Sequence, residues 1–325
     1  MDKIVLYGLF SDHVIKLFKK ELGNQFSVKV VDNPAGDYSE LADAKYIVNR
    51  VFPMPEDLFH QCQELLMVQK WGAGYDKVDV AAAGALGIPV AACTGVNAVP
   101  VAELTVLLML AVYRNILPLN RRFMNGEWAR DEYSPRSFML HGKNVGLLGF
   151  GRIGQEVGHI LQKGFGAKVR YYDIRRMPEE KEMALGFRYV PLNQLLETSD
   201  IISVHVALVD ATRKMVNREF FQKMKRSAIL INTSRGGVID EADLIQALQN
   251  GDIAGAGLDT FASEPLDKSS PLLHMDNVVA TPHCGGNTAD NDINMVDCCV
   301  RSILAFESGK FPQPPELVNG KFLHQ

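Results

Sequence analysis

Cysteine is scarce in this chain of 325 residues. The five present (Cys62, Cys93, Cys284, Cys298 and Cys299) are odd in number and form no Cys-x-x-Cys pair. That spacing offers no zinc or redox motif and no expected metal site, and it fits a reducing, cytoplasmic setting. Cys298 and Cys299 adjoin in an expected helix, point to different sides and read as small core residues. An excess of positive charge is also missing. Lys plus Arg number 34 against 38 Asp plus Glu, a net charge of −4, which argues against a nucleic-acid partner. Disorder is excluded by an ordinary balance of 47% hydrophobic and 22% charged residues. No charged residue falls between Asp79 and Glu103, a stretch long enough to span a bilayer. Gly84, Gly87, Pro89, Gly95, Asn97 and Pro100 interrupt it, so it reads as helix, strand, loop and helix start, and no membrane partner is expected. Met1-Asp2-Lys3 followed by Ile4–Phe10 lacks the basic start and small-residue cleavage site of a signal peptide.

Short apolar runs alternate with helical patterns along the whole length, which is about two domains' worth of chain. Ile4–Phe10 reads as a strand, followed by a helical stripe of Val14, Ile15, Leu17, Phe18 and Leu22 that Gly23 stops. Phe26–Val31, Tyr46–Val48 and Leu65–Gln69 read as further strands, with a helix beginning near Pro55. In the second half, strands are expected at Val145–Phe150, Lys168–Tyr172, Ile201–Val206, Ala228–Asn232, Gly257–Asp259 and Val278–Thr281. Helices are expected around 152–163, 193–198, 217–224 and 241–250. After Phe311, Pro312, Pro314 and Pro315 suggest an extended surface strap. The alternation predicts an α/β fold with parallel sheets.

The strongest local signal is Gly149-Phe150-Gly151-Arg152-Ile153-Gly154, because it follows a buried strand and opens a helix. The first glycine permits a tight turn, the second lets a pyrophosphate approach the backbone, and the third allows the helix to sit close to the strand. Free N–H groups at the helix start favour the phosphates. Asp173 ends the next strand 19 residues after Gly154, where a carboxylate accepts hydrogen bonds from a ribose 2′-OH and repels a 2′-phosphate. That favours NAD, with NADP less favoured. Arg175 and Arg176 pull the other way, since a nearby arginine can hold the extra phosphate. Three more residues follow strand ends: Arg235 in Asn232–Gly237, Glu264 in Ser263-Glu264-Pro265, and His283 in Thr281–Gly286. An arginine beside two glycines suits a two-pronged grip on a planar carboxylate. A histidine suits proton transfer, and a carboxylate beside it would orient the ring and favour its protonated form. Taken singly, each is explained as well by a turn or surface role; the combination downstream of one fingerprint carries the inference.

The chain resembles the D-isomer-specific 2-hydroxyacid dehydrogenase family, which includes D-3-phosphoglycerate dehydrogenases and glyoxylate/hydroxypyruvate reductases. The matching stretches are Lys70-Trp71-Gly72-Ala73-Gly74-Tyr75-Asp76, Val101-Ala102-Glu103, Gly149–Gly154, Asn232–Gly237, Leu258-Asp259-Thr260-Phe261 with Glu264-Pro265-Leu266, and Thr281–Gly286. The resemblance implies two doubly wound parallel-sheet domains: a substrate domain of flavodoxin-like order (1–98 and 287–325) interrupted in sequence by a Rossmann NAD-binding domain (99–286). Helices near 99–120 and 287–308 would link the two. It implies a catalytic set of Arg235, Glu264 and His283, with substrate bound by Gly72, Ala73, Gly74 and Arg235. Cofactor contacts are implied at Gly149, Gly151, Arg152, Ile153, Gly154, Asp173, Ala207, Thr233, Ser234, Arg235, Asp259, His283 and Gly285. The implied reaction passes hydride between NAD(H) and C2 of a small D-2-hydroxy acid or 2-keto acid, and a homodimer through the cofactor domain is implied as well.

The chain departs from the family pattern at two points. Ala207-Leu208 stands where a Pro-Leu pair is usual, and Asn49 stands where phosphoglycerate dehydrogenases carry a phosphate-binding arginine, with Arg50 one place on. A phosphorylated substrate is therefore not favoured. Phe52, Pro53 and Met54 fall in a loop that either lines an apolar pocket or packs in a core. An alternative reading on the same scaffold is an NAD-sensing, corepressor-like interaction protein.

Overall fold

The computed structural model describes residues 1–33 and 37–323. The chain divides into two compact units, Met1–Asn97 with Asn287–Gln325, and Ala98–Gly286. Each is built on one parallel sheet. In the first unit the strands are β1 (Asp2–Tyr7), β2 (Phe26–Val31), β3 (Tyr46–Asn49), β4 (Met67–Lys70) and β5 (Val90–Ala92), in the order β2-β1-β3-β4-β5. In the second they are β6 (Asn144–Leu148), β7 (Lys168–Tyr172), β8 (Arg188–Tyr189), β9 (Ile201–Val204), β10 (Ile229–Asn232), β11 (Gly255–Leu258) and β12 (Val278–Ala280), in the order β12-β11-β10-β9-β6-β7-β8. All paired strands are parallel. The first order is that of flavodoxin-like sheets and the second extends the Rossmann order. The order reverses between β1 and β3 in one sheet and between β6 and β9 in the other, and ligands of such sheets bind outside the carboxyl ends of the strands at these points.

The strand sequences are apolar because both faces of each sheet are covered. Every residue of β3, β9 and β10 is buried. Two apolar clusters flank the first sheet, one around Tyr7, Phe52 and Phe59 and one around Phe18, Met67 and Val300. Two more flank the second, one around Phe220, Leu230 and Leu258 and one around Leu147, Val157 and Tyr171.

Several boundaries differ from the sequence reading. β1 ends at Tyr7, three residues early, because Gly8 turns out of the strand at φ 144°. The helix expected near 99–120 is two helices, Ala98–Tyr113 and Ile116–Met124, bent by 64°. Asn115 makes the break in the left-handed region (φ 49°), and its side-chain amide bonds Arg136 O and Ser137 Oγ. The helix expected over 152–163 is regular only over Arg152–His159 and continues as a wider turn, Ile160–Gly164. Among the described residues, no single helix is long and apolar enough to cross a membrane.

The carboxyl-terminal segment is more than a surface strap. It adds to the edge of β5: the Ala92 N–H donates to Glu316 O and the Val318 N–H to Val90 O. Asn319, fully buried, closes the join. Its amide donates to Ile88 O at 2.9 Å and its oxygen accepts from the Val90 N–H at 2.9 Å. Asn319→Ala strands a buried donor and a buried acceptor, so it should destabilise the first unit by about 1–3 kcal/mol. A urea titration following that unit checks this; an unmoved midpoint would mean the tail contributes nothing to stability.

Candidate active site

In the second unit, the turn after β6 shows why the fingerprint needs its glycines. Gly149 has φ 93°, and a side chain there would meet His205 C at 2.7 Å and Val206 N at 2.8 Å. The loop after β9 thus crosses directly over the turn. Gly154 sits against Gly149 O, where a Cβ would lie at 2.5 Å, so the helix rests on the strand end. Gly151 has no heavy atom within 4 Å of a would-be Cβ. The space beside it is open at the N-terminus of helix Arg152–His159, as a pyrophosphate on the backbone requires. Arg152 and Ile153 begin that helix. In the loop after β9, Ser203 Oγ lies 2.9 Å from His205 Nε2, and loss of water around the ring pushes the His205 pKa down to about 4. Ala207 O accepts from Thr212 Oγ1, which ties this loop without the family's proline.

Asp173 lies just past β7 and joins two segments. Its Oδ2 accepts from the Phe150 N–H at 2.7 Å, and its Oδ1 from the Arg175 N–H at 2.9 Å. The carboxylate is therefore held beside the fingerprint by backbone donors. The two arginines that follow are not equivalent, contrary to the sequence reading. Arg176 grips the buried Glu182 with two hydrogen bonds, Nε to Oε1 at 3.0 Å and Nη2 to Oε2 at 2.9 Å. That guanidinium holds the Glu182 carboxyl below the usual carboxylate range, and Tyr171 OH donates to the same group. Among the described residues Arg175 makes no ion pair. Arg176 is thereby committed to Glu182.

The loops after β10, β11 and β12 carry the proposed chemistry. His283 follows β12 in the left-handed region (φ 51°), a conformation costly for a residue with a Cβ and held here by its surroundings. Its N–H donates to Thr281 O at 3.0 Å. Its Nδ1 lies 2.8 Å from Glu264 Oε2, while Glu264 Oε1 accepts from the Phe261 N–H at 3.2 Å. Nε2 of His283 has no partner among the described residues, and 43% of the side chain is exposed. Arg235 follows β10, with Nη1 on Ser234 O at 2.9 Å. Its loop is pressed against the Glu264 loop: a Cβ on Gly236 would lie 1.9 Å from Phe261 C, so no other residue fits there. Asn232 shapes the turn, accepting from the Ser234 N–H and Oγ through Oδ1 and donating to Arg235 O.

Asp259 and Thr233 have their visible partners inside the protein. Asp259 is 2% exposed. Its Oδ1 accepts from Thr281 Oγ1 at 2.6 Å and the Cys284 N–H at 2.9 Å, and its Oδ2 from the Gly285 N–H at 2.9 Å. It thereby shapes the loop that presents His283. Gly285 is pressed on the same carboxylate, where a Cβ would lie at 3.0 Å. Thr233 Oγ1 lies 2.8 Å from Thr105 Oγ1 of the helix Ala98–Tyr113. The sequence reading missed Thr105 and Thr281. Both are single hydroxyls with no periodic signal, and only their partners reveal them.

In the first unit, the Gly72-Ala73-Gly74 turn follows β4, with Gly72 at φ 94°. Among the described residues the Ala73 and Gly74 N–H groups donate to nothing. Of the apolar loop considered as a pocket wall, Phe52 and Met54 are core and Pro53 is exposed. Met54 is fully buried, and Phe52 packs on Tyr7 with ring centroids 5.2 Å apart.

Comparison with known proteins agrees with these observations. Residues 106–285 match the family model for the D-isomer specific 2-hydroxyacid dehydrogenase, NAD binding domain. A glyoxylate reductase of Korarchaeum cryptofilum is 39% identical over 271 residues, 82% of this chain and 80% of that protein. Glyoxylate/hydroxypyruvate reductase B of Serratia proteamaculans is 36% identical over 300 residues, 90% of this chain and 91% of that protein. Among solved structures, D-lactate dehydrogenase from Aquifex aeolicus, complexed with NAD and lactic acid, superposes with a TM-score of 0.86 at 28% identity, covering 97% of this chain and 99% of that one. An NAD-binding α/β oxidoreductase is the class that fold and relatives define. The chain belongs to the D-isomer-specific 2-hydroxyacid dehydrogenase family.

Proposed function

We propose that this protein interconverts a small 2-keto acid and its D-2-hydroxy acid, with glyoxylate and hydroxypyruvate as the first substrates to test because the relatives are named for them. The observation that carries the reading is the His283–Glu264 contact of 2.8 Å with Nε2 left free, at the carboxyl end of the same parallel sheet as the dinucleotide turn. Arg235 and the N–H groups of the Gly72–Gly74 loop are assigned to the substrate carboxylate. The open backbone at Gly151, the start of the helix Arg152–His159 and the Asp173 carboxylate fit an NAD pyrophosphate and ribose. The nicotinamide, when bound, supplies or accepts the hydride. In reduction His283 delivers a proton from Nε2 to the carbonyl oxygen as that oxygen gains charge; in oxidation it takes the hydroxyl proton. Glu264 fixes the ring orientation and offsets the imidazolium charge. The guanidinium of Arg235 holds the carboxylate in plane and polarises the carbonyl. A steady-state NADH assay across 2-keto acids of increasing size tests the reading; no turnover with any of them would end it. No observation favours the corepressor-like alternative.

The coenzyme preference follows from Asp173. Its carboxylate, fixed by two backbone N–H groups, would meet the 2′-phosphate of NADP at close range in a partly desolvated site. NADH should be preferred about tenfold or more, equivalent to about 1.4 kcal/mol. Asp173→Ala should bring the two coenzymes near parity without reversing the order, because Arg176 stays on Glu182 and only Arg175 is available. Equal kcat/KM for NADH and NADPH in the unaltered protein would refute the assignment.

A homodimer and a cytoplasmic setting belong to the same proposal. The helix Ile116–Met124 and the segment after it expose Phe123 (59%) and Trp128 (79%), whose rings lie 6.1 Å apart, an apolar patch suited to a second copy of the chain. The five cysteines are unpaired, as a reducing compartment would keep them.

A further inference from the structure

Lys70, the last residue of β4, is an ammonium buried to 5% exposure. Burying such a charge is costly unless its donors are satisfied. Its Nζ reaches Asn49 O at 3.2 Å, Trp71 O at 3.1 Å, and Arg50 O. An ammonium has three N–H donors, and three carbonyls at the carboxyl ends of β3 and β4 receive them. Asn49 O also accepts the Trp71 N–H at 2.8 Å. The bonds converge on the peptide that enters the Gly72–Gly74 turn.

That peptide is held at its carbonyl. Trp71 O accepts from Lys70, and a planar trans peptide points the Gly72 N–H the opposite way. With the plane fixed, the φ of 94° at Gly72 turns the chain so that the next two N–H groups lie outside any hydrogen bond among the described residues. Successive unbonded N–H groups after a left-handed residue form an anion-binding concavity.

We propose that Lys70 is a positioning residue for substrate binding: by holding the carbonyls of Asn49, Arg50 and Trp71, its ammonium presents the N–H groups of Ala73 and Gly74 to the carboxylate of the 2-keto acid. This rests on the dehydrogenase reading above and adds a residue which that reading does not include. A purely stabilising lysine would leave substrate affinity alone when replaced. A positioning lysine would not, since losing a hydrogen bond to a charged group costs about 10- to 100-fold in affinity.

The test uses the full chain with Lys70→Met, which keeps the apolar stem and removes the donors, and Lys70→Gln, which keeps two donors. Oxamate, a non-reducible analogue of a 2-keto acid, serves as the carboxylate probe on the NADH-loaded protein. In Lys70→Met, KM for the keto acid and Kd for oxamate should both rise by about 10- to 100-fold. The kcat should change by no more than about threefold, as expected when an interaction common to ground and transition states is lost, and NADH affinity should hold. Lys70→Gln should fall between. Unchanged KM and oxamate affinity, with only the melting temperature lowered, would overturn the proposal, and so would failure of both variants to fold. If the unaltered protein reduces no 2-keto acid, the dehydrogenase reading falls, while oxamate affinity still decides the role of Lys70.

Discussion

His283→Ala should lower kcat for keto-acid reduction by about 10²–10⁴-fold, the usual worth of a positioned general acid, while NADH affinity stays nearly unchanged. The expectation rests on geometry. Nδ1 is occupied by Glu264 at 2.8 Å, which leaves Nε2 as the nitrogen that meets substrate and fixes the ring in one orientation. The side chain is partly exposed, 43%, so its removal opens no core cavity, and a loss of turnover would report chemistry rather than unfolding. The dinucleotide turn at Gly149–Gly154 contacts the His205 loop and is expected to bind NADH as before. Single-turnover measurements with pre-bound NADH separate the chemical step from coenzyme binding. Near-normal turnover in the variant would remove His283 from the mechanism.

Arg235→Lys should reduce kcat/KM for keto acids by about 10- to 100-fold, with both KM and kcat affected. Lysine keeps the positive charge and loses the planar pair of donors. A hydrogen bond to a charged group contributes about 1.5–3 kcal/mol, and each 1.4 kcal/mol is a factor of ten. Without the planar pair of donors, polarisation of the carbonyl also weakens, so kcat falls along with affinity. The turn itself should survive. Asn232 and the seat of Gly236 on Phe261 organise it through backbone and asparagine contacts. Unchanged keto-acid kinetics, with only thermal stability reduced, would show that Arg235 is a structural residue.

Much of the architecture was legible before any coordinates. The sequence marks Lys168–Tyr172 and Phe26–Val31 as strands to the residue, and 241–250 as a helix, with the bounds the structure shows. Their apolar pattern is local, and Asp240 and Gly251 mark the helix ends. The dinucleotide turn was legible in part for the same reason: Gly154 must clear Gly149 O five residues back, and sterics between near neighbours in the chain are written in residue type. Boundaries failed where a residue outside the pattern intervened, as at Gly8 and Asn115.

Sequence by itself determined the α/β class, the dinucleotide turn and the short set of strand-end residues with chemistry to offer, because each depends on contacts within a few residues. Tertiary structure decided which of those residues meet. His283 and Glu264 are 19 residues apart, and no periodicity pairs them; the register of β11 beside β12 does. The same holds for Asp259, whose oxygens close on the loop of Thr281, Cys284 and Gly285. Arg175 and Arg176 are neighbours of one type, and only the buried Glu182 separates the bound one from the available one. Lys70 and Asn319 look like surface residues by composition and are buried, each satisfied by main-chain groups that distant strands bring to it. A hydrogen bond is made by whichever groups folding leaves within about 3 Å, and over long separations that distance is set by sheet order and loop closure, which residue type alone does not encode.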